Sequence, residues 1–204
     1  MEDRLMPVLA LVGFVLFALL AFGWRTWVHW RRTGSSGFRG FSGRAGSLER
    51  FAGLLFAVAI AAAPLAAVLD LTGTLTRVAL LDTTLARVVG LVAYALGVAG
   101  TLWSQLAMGD SWRIGVDPSE RTTLVTRGPY RSVRNPIFSF MVLAVAGLAL
   151  LTPNVLALAA VAALIVAVEI QVKKVEEPYL ERTHGDAYRA YRARTGRFVP
   201  GIGR

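Results

Sequence analysis

Residues 134–178 read RNPIFSFMVLAVAGLALLTPNVLALAAVAALIVAVEIQVKKVEEP, and this stretch decides how the chain is built. Two apolar runs, 136–151 and 155–172, are separated by Thr152-Pro153-Asn154, a turn signal. The spacing predicts a tight antiparallel helical hairpin. A hairpin returns the chain to the face it left, so the polar residues on its two flanks are expected to be neighbours. Those flanks are unusually rich in Arg, Tyr and Glu for so apolar a chain. Ahead of the hairpin, residues 122–138 read TTLVTRGPYRSVRNPIF; behind it come Glu176-Glu177-Pro178 and then Gly185-Asp186-Ala187-Tyr188-Arg189-Ala190-Tyr191.

The rest of the sequence sets these segments in a membrane. Of 204 residues, 55% are hydrophobic and 17% charged, against about 25% charged in a soluble domain. Mean hydropathy is +0.54. Apolar segments at 5–24, 51–69, 88–108, 136–151 and 155–172 each approach the roughly 20 residues a helix needs to cross a bilayer. Backbone groups in hydrocarbon must bond internally, so these are expected to be helices. The expected fold is all-α: one integral membrane domain over 1–204, a bundle of about five transmembrane helices with a C-terminal helical segment at the cytosolic face. Two helices and a basic loop occupy 1–87, and a core with its hairpin at 136–172 occupies 88–204. The first apolar run begins after Glu2 and Asp3 and shows no clear cleavage site, which favours a retained helix over a signal peptide.

Charge gives an orientation. The 25–50 loop, the 109–135 stretch and the tail from 173 carry nineteen of the twenty-two basic residues, leaving Arg4, Arg77 and Arg87 for the other side. With five spans, the basic regions share one face, and the positive-inside rule makes that face cytoplasmic, with the N-terminus outside. Trp24, Trp27 and Trp30 cluster at the inner end of the first span, where interfacial aromatics belong. The net charge of +9 is thereby explained by topology and attraction to anionic lipid, without nucleic acid. The Gly/Ser-rich 34–47 region reads as a flexible part of the first loop.

Several residues stand out chemically. Gly128-Pro129-Tyr130 reads as a turn presenting Tyr130, and Pro136 suits the first turn of the next helix. Glu169, Lys173 and Glu176 follow at i, i+4 and i+7, on one face of an uninterrupted helix. An ionisable group as near the membrane interior as Glu169 is a functional candidate. Pro178 either starts a new helix or kinks the old one. The chain lacks cysteine, and His29 and His184 lie far apart, so no metal is expected. No G-x-G-x-x-G follows a strand, and no Walker or G-x-S-x-G motif is present. Gly90, Gly97 and Gly100 are assigned to close helix packing.

The box before the hairpin, the Glu pair after it and the Gly185/Tyr188/Tyr191 spacing together resemble the isoprenylcysteine carboxyl methyltransferase family, within a superfamily that includes phospholipid methyltransferases. The resemblance spans roughly 88–200. It implies S-adenosylmethionine (SAM) as cofactor, bound at the cytosolic face, and a lipid-like or prenylated acceptor drawn from the bilayer. By position it places Thr122, Thr123, Leu124, Val125, Tyr130, Asn135, Pro136, Ile137, Phe138 and Glu176 around the cofactor. It places Arg134 at the methyl acceptor as the catalytic arginine; Glu169 and Lys173 join it as candidate substrate contacts. An Arg can hold a carboxylate by two charge-assisted bonds. The departures are Asn135 where the family box has His, Phe138 where it has Tyr, and Val172 where eukaryotic members have a substrate-binding Arg. Acceptors open on this reading are an isoprenylated cysteine carboxylate, a phospholipid amine or a small hydrophobic thiol. A non-enzymatic lipid-binding protein and a sterol-type membrane reductase are the competing classes.

The charge split predicts that a reporter fused after Arg204 reads cytoplasmic and one inserted at Gly73 reads external. A cytoplasmic Gly73 would overturn the span count.

Overall fold

The structure, a computed structural model, describes residues 2–38, 40, 43–115 and 123–204. Among these described residues eight α-helices run in order: α1 Glu2–Ala18, α2 Arg25–Thr33, α3 Leu48–Leu71, α4 Thr84–Met108, α5 Pro136–Leu151, α6 Val155–Gln171, α7 Glu177–His184 and α8 Asp186–Arg194. A π turn, Leu19–Trp24, joins α1 to α2, and a second, Val172–Glu176, joins α6 to α7. Four helical stretches are long and apolar enough to cross a membrane: Arg4–Thr33, Leu48–Leu71, Thr84–Ser111 and Val155–His184; Pro136–Leu151 is a shorter apolar helix.

Local signals fix the helix starts. The side chains of Ser47, Thr83 and Asn154 accept hydrogen bonds from the backbone N–H of Arg50, Ala86 and Ala157, satisfying donors that a helix N-terminus leaves free. Pro136 and Pro178 sit in the first turns of α5 and α7, where a missing N–H costs nothing.

The packing departs from the sequence expectation in one respect. The two arms of the hairpin touch each other less than either touches an earlier helix: α5 packs chiefly on α4, and α6 on α3. The cause is the run of glycines. A Cβ on Gly147 would lie 2.5 Å from the Tyr94 nitrogen and 2.6 Å from the Gly90 oxygen, and one on Gly90 would lie 2.8 Å from the Gly147 oxygen. Gly97 abuts Ala144, and Gly100 abuts the Phe140 ring. Small residues let α4 and α5 meet backbone to backbone, as membrane helices do when hydrophobic burial no longer drives them together. The hairpin is therefore pulled open, and Val145, Leu164, Val168 and Val172 fill the space against Ala59 of α3.

The far end of the bundle is held by polar contacts. Buried Asn154 caps α6 with its oxygen and donates its amide nitrogen to the Ala66 carbonyl at 3.0 Å. Arg77 bonds Asp70 at 2.8–3.2 Å, and Arg87 bonds Asp82 at 2.7 Å. Arg77 of the α3–α4 loop and Arg87 of the first turn of α4 are thus neutralised locally.

The seam makes Gly147→Ala a severe change. A methyl group set against backbone atoms cannot be relieved by a rotamer, so a loss of about 1–3 kcal/mol or more is expected, read as a lowered melting temperature in detergent. Gly23→Ala, where a Cβ meets nothing within 4 Å, should be near neutral.

Candidate functional site

At the opposite end from Asn154, the helices enclose a cavity of about 220 Å³. Its walls come from most of the chain: Phe22 of the first π turn, Ala52 and Phe56 of α3, Gln105 and Met108 of α4, Trp112 and Arg113 beyond it, Leu124, Val125 and Tyr130 of the box, Ile137, Phe138 and Met141 of α5, and Gln171, Glu176 and Tyr179 around the second π turn. The wall is mainly apolar and aromatic with a few polar groups, the usual make-up of a small-molecule site.

Tyr130 is built in from both sides. Gly128, at φ 59°, starts a short 3-10 turn over Gly128–Arg131 that buries Pro129 and Tyr130. Tyr191 donates its hydroxyl to the Tyr130 carbonyl at 2.6 Å, and its ring meets that of Tyr188 edge-on at 6.3 Å. The Gly185/Tyr188/Tyr191 spacing therefore places two aromatic residues on the inner face of α8, where they brace the box. Burial first, and then the nearby Glu176 charge, push the Tyr130 phenol above its ordinary range. Burial and the Glu177 charge push the Tyr188 phenol up to about 12. Tyr130 is a neutral hydroxyl at physiological pH. The residue is 5% exposed, and its hydroxyl has no hydrogen-bond partner among the described residues.

The second π turn sorts the acidic residues. The i, i+4, i+7 pattern predicts Glu169, Lys173 and Glu176 on one face. Glu169 and Lys173 do pair, at 2.6 Å, with both side chains substantially exposed. Neither lines the cavity, whereas Glu176 does. The wider π turn over Val172–Glu176 breaks the 3.6-residue period on which the pattern depends. Glu169 and Lys173, expected as substrate contacts, thus form a pair outside the cavity lining. Glu176 meets the Gln171 side chain and the Arg113 charge, and Arg113 lies 5.0 Å over the Tyr179 ring.

Glu177 has a different task. It bonds Arg134 at 2.9 Å and Arg197 at 2.8 and 3.0 Å, and these bonds raise the Arg197 pKa. Arg134 donates further to the carbonyls of Gly203 at 2.8 Å, Arg192 at 3.2 Å and Thr195. Both terminal nitrogens of its guanidinium are occupied by the protein itself. Arg134 touches the cavity wall, yet it offers no free fork for a substrate carboxylate. Arg134, expected at the methyl acceptor, forms in this structure a latch that fixes the tail beneath α5. The latch is extended by backbone bonds from Arg134 to Gly196 and Asn135 to Arg197, and by Ser139 donating to the Phe198 carbonyl at 2.7 Å. Asn135, in the place of the family's histidine, donates its amide to the Arg197 carbonyl at 3.1 Å.

Of the residues expected around a cofactor, Thr123, Leu124, Val125, Tyr130, Asn135, Ile137, Phe138 and Glu176 line the cavity. Pro136 starts α5 without lining it, and Thr122 lies outside the described residues. Sequence reasoning missed Gln105 and Gln171, whose signal was an amide in an apolar helix. It also missed Phe22 and Phe56, which look like any lipid-facing residue. Among the described residues no cluster suited to a metal ion is found.

The described residues thus form an apolar helical bundle with a mixed polar and aromatic cavity at one end. The chain belongs to the phospholipid methyltransferase family, whose model matches residues 85–187. No curated protein matches the chain. Membership implies methyl transfer at a membrane to a lipid-like acceptor, with SAM as donor. The wall fits such a cofactor: an unpartnered buried hydroxyl on Tyr130, a carboxylate on Glu176, and aromatic and aliphatic surfaces on either side.

The latch carries a prediction. Removing one member of a buried ion pair costs about 3–5 kcal/mol, and Lys cannot reproduce a planar fork. Arg134→Lys should lower the melting temperature by several degrees, with ligand affinity falling alongside it. Full stability with methyl transfer alone lost would return Arg134 to the acceptor.

Proposed function

We propose that the protein is an integral-membrane, SAM-dependent methyltransferase whose site opens on the cytoplasmic face and whose acceptor is an amphipathic lipid. The observation that carries this reading is the convergence on one cavity of a buried, unpartnered Tyr130 hydroxyl and the Glu176 carboxylate, between apolar walls. Tyr130, Glu176, Leu124, Val125, Ile137 and Phe138 would hold the cofactor. Bound there, SAM supplies a methyl group on a sulfonium that needs no further activation.

What remains for the protein is to position the acceptor in line and to exclude water. Tyr130, fixed through its backbone by Tyr191, donates a hydrogen bond from a rigid support. Glu176 accepts hydroxyl donors or offsets positive charge. Phe22, Phe56 and Met141 continue the cavity between the membrane helices, a surface that accommodates an acyl or prenyl chain. With Arg134 engaged elsewhere, the best-supported acceptor is a phospholipid amine, whose ammonium form must first give up a proton so that the nitrogen lone pair can take the methyl; Glu176, the carboxylate on the cavity wall, would receive it. An isoprenylated cysteine carboxylate is the second reading, favoured by Arg113 on the cavity wall.

Calorimetry of purified protein with S-adenosylhomocysteine tests the cofactor half. Loss of a hydrogen bond to a charged group costs roughly 1.5–3 kcal/mol, so Glu176→Gln should weaken binding about tenfold or more, and Tyr130→Phe should weaken it less. Unchanged affinity in a folded Glu176→Gln protein removes Glu176 from the site. Labelled methyl transfer to phosphatidylethanolamine and to a farnesylated cysteine analogue, run side by side, separates the two acceptors.

A further inference from the structure

Gln105 lines the cavity from the last turn of α4, is 2% exposed, and takes no part in the reading above. Its amide nitrogen donates to the Ala21 carbonyl at 2.9 Å. That carbonyl belongs to the first π turn, Leu19–Trp24. The backbone of Gln105 is held as well, its carbonyl receiving a bond from Arg25 at 3.4 Å. The side chain is thereby fixed in one orientation, since flipping the amide would set its oxygen against the Ala21 carbonyl. In that orientation the Gln105 Oε1 atom is buried with no donor to meet it among the described residues. Buried acceptors without a partner are rare and call for an explanation. Tyr130, on the same cavity wall, has the only other unpartnered buried side-chain atom among the described cavity-lining residues apart from the Nε of Arg134 and the hydroxyl of Tyr188.

We propose that Gln105 is a specificity-determining residue that accepts a hydrogen bond from an N–H group of the bound S-adenosyl cofactor. The assignment rests on the methyltransferase reading. The cofactor carries two such donors, the α-ammonium and the exocyclic amine of adenine, and both offer the chemistry that a lone carbonyl oxygen requires. The first π turn is part of the device. By presenting the Ala21 carbonyl sideways, it occupies the amide nitrogen and leaves the oxygen for the ligand, so a segment outside the family-matched region sets the polarity of the site.

Calorimetry with three ligands tests this: S-adenosylhomocysteine, its inosine counterpart lacking the 6-amino group, and a desamino counterpart lacking the α-amine. Wild type should bind one of the two counterparts about five- to tenfold more weakly than S-adenosylhomocysteine, the usual worth of one hydrogen bond. Gln105→Met should lose the same factor for S-adenosylhomocysteine and nothing further for that counterpart. Gln105→Glu, which removes the donor to Ala21 and sets an oxygen against its carbonyl, should instead lower the melting temperature, as the amide orientation requires. Two outcomes overturn the assignment: a wild type indifferent to both missing amines, whether or not the variants fold, or a Gln105→Met protein that is unchanged or weakened equally for all three ligands. A wild type that binds no S-adenosylhomocysteine fails the methyltransferase reading itself.

Discussion

A guanidinium shut away from water at the mouth of a membrane helix must find a partner for its charge and acceptors for its donors. Arg134 finds a carboxylate and three carbonyls, and each belongs to a segment beyond the second π turn. This one side chain ties the start of α5 to α7, to the end of α8 and to the tail. The box before the hairpin and the glutamates after it become one wall because Arg134 and Glu177 join them. Tyr188 and Tyr191 can then close over Tyr130, and Glu176, next in the chain to Glu177, is left on the cavity side.

This division of labour explains how two adjacent glutamates serve different ends. Glu177 is held between Arg134 and Arg197, and its charge is spent on cohesion. Glu176 makes no comparable pair among the described residues and lines the cavity. The region matched to the family, 85–187, contains the box and both glutamates. The cavity nevertheless takes Phe22, Ala52 and Phe56 from helices before it, and the latch takes Arg197 and Gly203 from the tail after it.

Much of this was legible in the sequence, for identifiable reasons. Apolar runs and the Thr152-Pro153-Asn154 turn gave the helices and the return of the chain, because both signals are local. The pairing of box and glutamates followed from that return, and the glycines of α4 announced a close approach. Three things were hidden. The two π turns have no sequence signature in LLAFGW or VKKVE, yet the second takes Glu176 off the face shared by Glu169 and Lys173. The hairpin opens because each arm has a better partner elsewhere, a competition that no single segment reveals. Arg134 looks the same whether it clamps a substrate or a carbonyl; only the position of the tail separates the two.

The glycine seam also sets where the site lies across the bilayer. Gly90, Gly97 and Gly100 of α4 meet Gly147, Ala144 and Phe140 of α5 in antiparallel order, so α4 runs about one turn past the first residue of α5, and Gln105 and Met108 stand beyond it. At 1.5 Å per residue α5 is about 24 Å long, short of the roughly 30 Å of hydrocarbon it must cross. A bilayer meets such a short span by thinning, or the span's neighbours make up the height. On the proposed function that height is cavity wall: the floor of the site would lie below the level of the lipid headgroups, and an acceptor would reach it by sliding sideways within its own leaflet, with its chains still in oil.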